Sequence, residues 1–196
     1  MLKNVRADLL RLVDPGSRYE DNTWNTRKVV FGFLDALGAW AVVEYRFRRW
    51  VRTLPMPARL ALKPVSMITR KSMEIVAGVS ISSDAEIGPG FYIVHFGGVF
   101  VGPGVVAGSN LSLSQGVTVG IEKGESPKLG DWVYLAPGAK VFGPVAMGDL
   151  AAAGANAVVT KDVDAGVTVG GVPARPIGVR TQAAPGEDVT ALRLAA

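Results

Sequence analysis

An aliphatic residue returns at every sixth position through the second half of the chain, at Ile81, Ile87, Ile93, Val99, Val105, Leu111 and Val117. The beat pauses across residues 121–128 and resumes in the same register at Leu129, Leu135, Val141, Met147, Ala153, Val159 and Ala165. Four positions after the aliphatic residue sits a mostly small or apolar one, such as Ala85, Gly97, Ser109, Val133, Ala139 or Ala157. A period of six fits neither an α-helix nor a simple alternating strand, and it marks hexapeptide β-helix repeats. Each hexad supplies one short parallel strand and one turn, and three hexads make a triangular coil with the aliphatic residue inside. Gly90, Gly104, Asn110 and Asn156 supply turn conformations that branched residues resist. One coil cannot bury its apolar face alone, so the coils must stack.

The expected architecture is mainly β: a left-handed parallel β-helix of hexapeptide repeats over residues 78–178, preceded by a short α-helical N-terminal domain over 1–77. Residues 121–128 should project from a corner as a loop, and loops on rigid scaffolds are where substrates are held. Gly170-Gly171-Val172-Pro173-Ala174-Arg175-Pro176 should end the β-helix, leaving a polar or weakly helical tail over 179–196. In the helical part, Asp14-Pro15-Gly16 and Leu54-Pro55-Met56-Pro57 read as breaks, with one long helix or two packed helices between them. Pro64 reads as the start of a short helix that feeds the first coil.

The longest apolar stretch, residues 29–45, is interrupted by Asp35 and Glu44 and is shorter than the ~20 residues that span a bilayer. It reads as a packed helix. The run Arg46, Arg48, Arg49 and Arg52, interleaved with Phe47 and Trp50, also fits a helix lying on a membrane surface, and that reading stands second. No nucleic-acid-reading motif accompanies the net charge of +4, so nucleic acid is not an expected partner. Residues 1–13 are amphipathic and carry Asp8, unlike a signal peptide, so a cytoplasmic location is expected. The absence of cysteine removes disulfides and thiolate metal sites.

The chain has one histidine, His95, two positions after Ile93 and therefore directed outward. Gly97 and Gly98 clear the space beside it. A surface histidine near a turn is the ordinary alternative. A neutral imidazole with an unperturbed pKa of about 6.5 is nonetheless a ready general base for a hydroxyl. A zinc hydration site on such a scaffold would need three histidine ligands, so no metal is expected.

The segment 82–95, ending Tyr92-Ile93-Val94-His95, resembles the part of serine acetyltransferases that carries their catalytic histidine. Gln115-Gly116-Val117-Thr118-Val119-Gly120 resembles that family's QGVTLG, and Gly171-Val172-Pro173-Ala174-Arg175 its terminal GVPAR. Ala41-Val42-Val43-Glu44-Tyr45-Arg46 is similar to the tyrosine-arginine helix ahead of its β-helix. The resemblance covers residues 35–180. It implies acetyl transfer from acetyl-CoA to a small-molecule acceptor alcohol, with His95 removing the hydroxyl proton and the oxygen attacking the thioester directly. It also implies a homotrimer that binds CoA between neighbouring prisms. On that basis Gly120, Gly138, Ala139, Gly154 and Ala155 would line the cofactor, and Lys161 and Arg175 would meet its phosphates.

Several family positions are changed. The aspartate that orients the imidazole is Ser80, and the aspartate just before the histidine is Val94. A second histidine, in the projecting loop near the substrate carboxylate, aligns with Ser126, and a substrate-touching aspartate of the helical domain has only Asp21 as a candidate. Gly97 and Gly98 complete the expected substrate-binding set. Polar partners for an amino-acid zwitterion are thus missing, and a charged group without partners is costly to bury. A sugar or tailoring substrate is therefore expected in preference to serine. The chain ends Leu192-Arg193-Leu194-Ala195-Ala196, without the terminal isoleucine through which family members dock on cysteine synthase, so no such docking is expected. A catalytically silent trimeric β-helix scaffold is the alternative that the missing aspartate supports.

Overall fold

A computed structural model describes residues 2–14 and 22–180. Four helices come first: α1 (Leu2–Leu10), α2 (Thr26–Asp35), α3 (Leu37–Thr53) and α4 (Met56–Val76). The stretch between the proline breaks is two helices, because the backbone of Ala36 is extended and separates α2 from α3. Asn25 caps α2, its side chain accepting from the Lys28 N–H at 3.1 Å. Pro64 does not start a helix. It lies inside α4, which begins at Met56 with Pro57 in its first turn, where a missing N–H costs nothing.

Fifteen strands follow, fourteen of them wound into a parallel β-solenoid with three faces. Face A holds β1 (Val79–Ile81), β4 (Val99–Val101), β7 (Thr118–Gly120), β10 (Lys140–Phe142) and β13 (Val158–Val159). Face B holds β2 (Glu86–Ile87), β5 (Val106–Ala107), β8 (Lys128–Leu129) and β11 (Ala146–Met147). Face C holds β3 (Tyr92–Ile93), β6 (Ser112–Leu113), β9 (Tyr134–Leu135), β12 (Ala152–Ala153) and β14 (Val167–Gly170), with β15 (Arg175–Val179) added antiparallel to β14. The core is the aliphatic stack inside the prism, in which Ile93, Leu113, Leu135, Val119 and Val141 are all but fully buried.

The register corrects the six-residue beat in one respect. Ile93 pairs with Leu113 but Ile81 pairs with Val101, so the step from Ile93 to its successor is eight residues rather than six. The next irregular step runs from Val119 to Leu129, ten residues. The two insertions, of two and four residues, add to one whole hexad, which is why the beat resumes in the same register after residues 121–128. Between them Val99, Val105, Leu111 and Val117 occupy the second inward position of each hexad, and Val101, Ala107, Leu113 and Val119 the first. Near the end the chain shortens instead: Val163 bridges Met147, and Ala165 is exposed rather than inward.

The basic run of α3 is engaged by the first coil of the solenoid. The first coil has no coil before it, and its outward-running carbonyls need donors. Arg46 donates to the carbonyls of Ile87 and Gly88, both at 2.6 Å, and Arg48 to that of Ile81 at 2.6 Å. Arg49 and the Tyr45 hydroxyl both bond the carbonyl of Ala85, at 2.5 and 2.9 Å. Arg52 pairs with Asp84. Arg46 also grips Asp8 of α1 at 2.8 Å, and the same carboxylate accepts the Phe91 N–H at 2.8 Å. Burial pushes the Asp8 carboxyl up, and the Arg46 guanidinium pulls against it. Gly38 lets α3 lie directly on β3, since a Cβ there would come within 2.6 Å of the Ile93 carbonyl. No described helix is long and apolar enough to cross a membrane.

Candidate active site

Two edges of the prism turn through left-handed backbone at every coil, and they are built from different residues. On the edge from face B to face C the positive-φ positions are Gly90, Asn110, Trp132, Leu150 and Gly166. On the edge from face C to face A they are Gly78, Gly98, Gly116, Gly138 and Asn156. Backbone strain alone does not explain four glycines in a row, because tryptophan and leucine tolerate the same conformation on the neighbouring edge. What differs is the stacking: a Cβ on Gly98 would lie 3.3 Å from the backbone of Gly116, and one on Gly138 would collide with Asn156 Oδ1. The C-to-A edge is a strip of bare backbone, open to close approach by an extended ligand.

His95 stands at the top of this strip, in the corner that the two-residue insertion enlarges. Its side chain is exposed and has no hydrogen-bond partner among the described residues. Gly97 follows with φ +101 and nothing within 4 Å of the space a Cβ would fill. Val94 spends its N–H on the Leu113 carbonyl at 2.8 Å and presents only hydrocarbon to the site. Phe96 and Phe100 are half-exposed beside it.

Ser80 does not bond His95. Its hydroxyl donates to Glu74 Oε1 at 3.0 Å. Ser80 is nevertheless close to the histidine corner, because Gly78 abuts the backbone of Gly97 and Gly98 and the Val99 N–H donates to the Gly78 carbonyl. Glu74 is therefore the carboxylate that holds Ser80, and it has no part in the sequence analysis. Lys71 bonds it at 2.6 Å and Arg70 at 2.8 Å, and these donors together with Ser80 hold its pKa down at about 2. One signal was available: an acid in the last turn of a helix opposes the macrodipole and calls for another reason to be there.

The expected cofactor residues divide between two edges. Gly138, Gly154 and Ala155 lie on the C-to-A strip below His95. Ala139 is at the same corner but points into the prism, fully buried, with its N–H spent on the Ala136 carbonyl. Arg175 begins β15 opposite Gly170, exposed, its guanidinium donating to the Ala174 carbonyl at 2.9 Å. Gly120 and Lys161 belong to the A-to-B edge, as does the loop 121–128. There Ser126 donates to the Pro103 carbonyl at 2.9 Å. In one chain, then, face A separates Ser126 and Lys161 from His95. Lys140 sits on that face, bonded to the Gly116 carbonyl and to Thr118 Oγ1. Asp21 and the C-terminal residues 192–196 lie outside the described residues.

No protein-family model matches the chain. A serine acetyltransferase of Mycobacterium tuberculosis is 36% identical over 153 residues, which cover 76% of this chain and 64% of that protein. One from Staphylococcus epidermidis is 31% identical over 183 residues, covering 88% of this chain and 77% of that protein. Among solved structures, serine acetyltransferase from Brucella abortus in complex with coenzyme A superposes with a TM-score of 0.67 at 26% identity, covering 91% of this chain and 68% of that one. The chain thus spans slightly less than two thirds of the mycobacterial relative's length. The register, the glycine strip and these likenesses agree: the chain belongs to the serine acetyltransferase family.

Proposed function

We propose that the protein is an acetyl-CoA-dependent O-acetyltransferase whose acceptor is a neutral hydroxyl compound, such as a sugar, rather than serine. The bare backbone strip beneath His95 carries this reading, because it suits the thin pantetheine arm of CoA. His95 takes the proton of the acceptor hydroxyl as its oxygen attacks the thioester carbonyl. The C–S bond breaks, the acetyl ester forms, and the proton returns to the departing thiolate. Gly138, Gly154 and Ala155 line the arm, and Arg175 meets the nucleotide phosphates with a forked contact. The ionised Glu74, which holds Ser80 at the neighbouring helix-to-strand junction, favours the imidazolium through space during the step.

The acceptor preference rests on charge. Val94 offers no partner to an ammonium group, and the loop 121–128 has Ser126 where the family's second histidine would meet a substrate carboxylate, with Glu122 and Glu125 balanced by Lys123 and Lys128. A zwitterion entering such a site leaves its charges without partners, which is costly, while an uncharged polyol does not. The division of the site between edges supports a homotrimer in which the C-to-A edge of one chain faces the A-to-B edge of the next. That contact would bring His95 together with a neighbour's Ser126 and Lys161.

Release of CoA thiol, followed with a thiol-reactive dye against serine, homoserine and a panel of sugars, tests the proposal. The protein has no thiol of its own to react. Release with a sugar and little with serine is the expected pattern. Serine turnover matching the best acceptor would overturn the preference, and absence of both release and calorimetric CoA binding would leave the silent scaffold.

A further inference from the structure

The helix α4 carries a surface that the acetyltransferase reading does not use. Its half-buried residues Leu62, Thr69 and Met73 face α3, and Thr69 bonds Glu44 of α3 at 3.1 Å. The opposite side is apolar and open. Met56, Leu60, Met67, Ile68 and Ile75 recur at helical spacing with relative exposures of 78, 67, 60, 67 and 81%. No residue of this 21-residue helix is buried. Exposed apolar patches of this kind mark interaction surfaces.

Charge selects the occupant. Arg59, Lys63 and Arg70 line one margin of the stripe, and Lys71 stands on it one turn from Met67 and from Ile75, Arg70 and Lys71 sharing the single carboxylate Glu74 between them. Glu74 is the only acidic residue in the helix. A second copy of the same face would set four cations against four, with one acid on each side. An anionic bilayer surface satisfies both halves of the pattern, since it takes up apolar side chains at the level of the acyl chains and draws lysine and arginine to its headgroups. We infer that α4 is an interfacial helix that docks the protein on anionic lipid. This is a different surface from the basic-aromatic run of α3, whose arginines are consumed by the first coil of the solenoid. The inference does not depend on the acetyl acceptor, because it concerns only this face.

Flotation with vesicles of phosphatidylcholine alone and of phosphatidylcholine mixed with phosphatidylglycerol tests it. The full-length protein should float with the mixed vesicles, weakly or not at all with the neutral ones, and should be released by salt. Leu60→Glu together with Ile68→Glu should abolish flotation while leaving the thermal transition unchanged. Arg59→Ser with Lys63→Ser should weaken it roughly fivefold for each cation removed. Failure of the wild type to float would overturn the inference. So would a fall in solution mass in both double variants, measured by light scattering, because it would assign the face to a second copy.

Discussion

Three side chains decide the chemistry proposed for this protein, and only one of them is marked by its rarity. His95 can be picked out because it is the single histidine and glycines follow it. Ser80 stands out only through the family resemblance, and Glu74 not at all, because the link between them is a hydrogen bond across a helix-to-strand junction. If Glu74 stabilises the imidazolium through space, Glu74→Gln should lower the acid-limb pKa of kcat/KM, since a negative charge is removed from the imidazole's surroundings. Ser80→Asp should raise that pKa and raise kcat, because it places a carboxylate one bond nearer. A pH–rate profile unmoved by both changes would remove them from the mechanism. Glu74 also couples stability to pH. Its pKa is depressed from 4.5 to about 2, so its contribution is complete above pH 4.5 and is lost as the pH falls toward 2. Thermal melts across that window should fall more steeply for wild type than for Glu74→Gln.

At the scale of elements, the α3 cap and the glycine strip carry the account. Arg46 and Asp8 are both buried, with side-chain exposures of 4 and 3%. Replacing one partner leaves the other charge uncompensated, at a cost of about 3–5 kcal/mol. Arg46→Met should therefore destabilise by that order in denaturant unfolding, whereas Arg52→Ala, at the solvent-exposed pair with Asp84, should cost under about 1 kcal/mol. The sequence showed the solenoid clearly because every coil repeats the same inward demand. It hid the register, because insertions of two and four residues together restore the six-residue phase. The enlarged corner at His95 was therefore invisible as a departure from the repeat, although it is what makes that corner different. The role of α3 was hidden for another reason: a basic-aromatic helix looks alike whether its arginines face lipid or bond the open end of a β-solenoid.

At the scale of the whole molecule, one chain presents the two halves of the proposed site on different edges. Subunit mixing tests this arrangement. Chains carrying His95→Ala keep an intact loop, and chains lacking residues 123–126, the four that exceed a regular hexad, keep an intact histidine. Neither should be active alone, and co-refolded mixtures should regain activity that neither parent has. Recovery would be absent if each chain contained a complete site. The most direct measurement is CoA release by wild type and His95→Ala with the best acceptor of the panel, together with calorimetric CoA affinity for both. A general base contributes typically ~10²–10⁴-fold. A fall of that size with CoA affinity unchanged is the expected result, because His95 acts on the acceptor and the backbone strip holds the cofactor. Turnover within a few-fold of wild type in His95→Ala would contradict the assignment of His95 as the base.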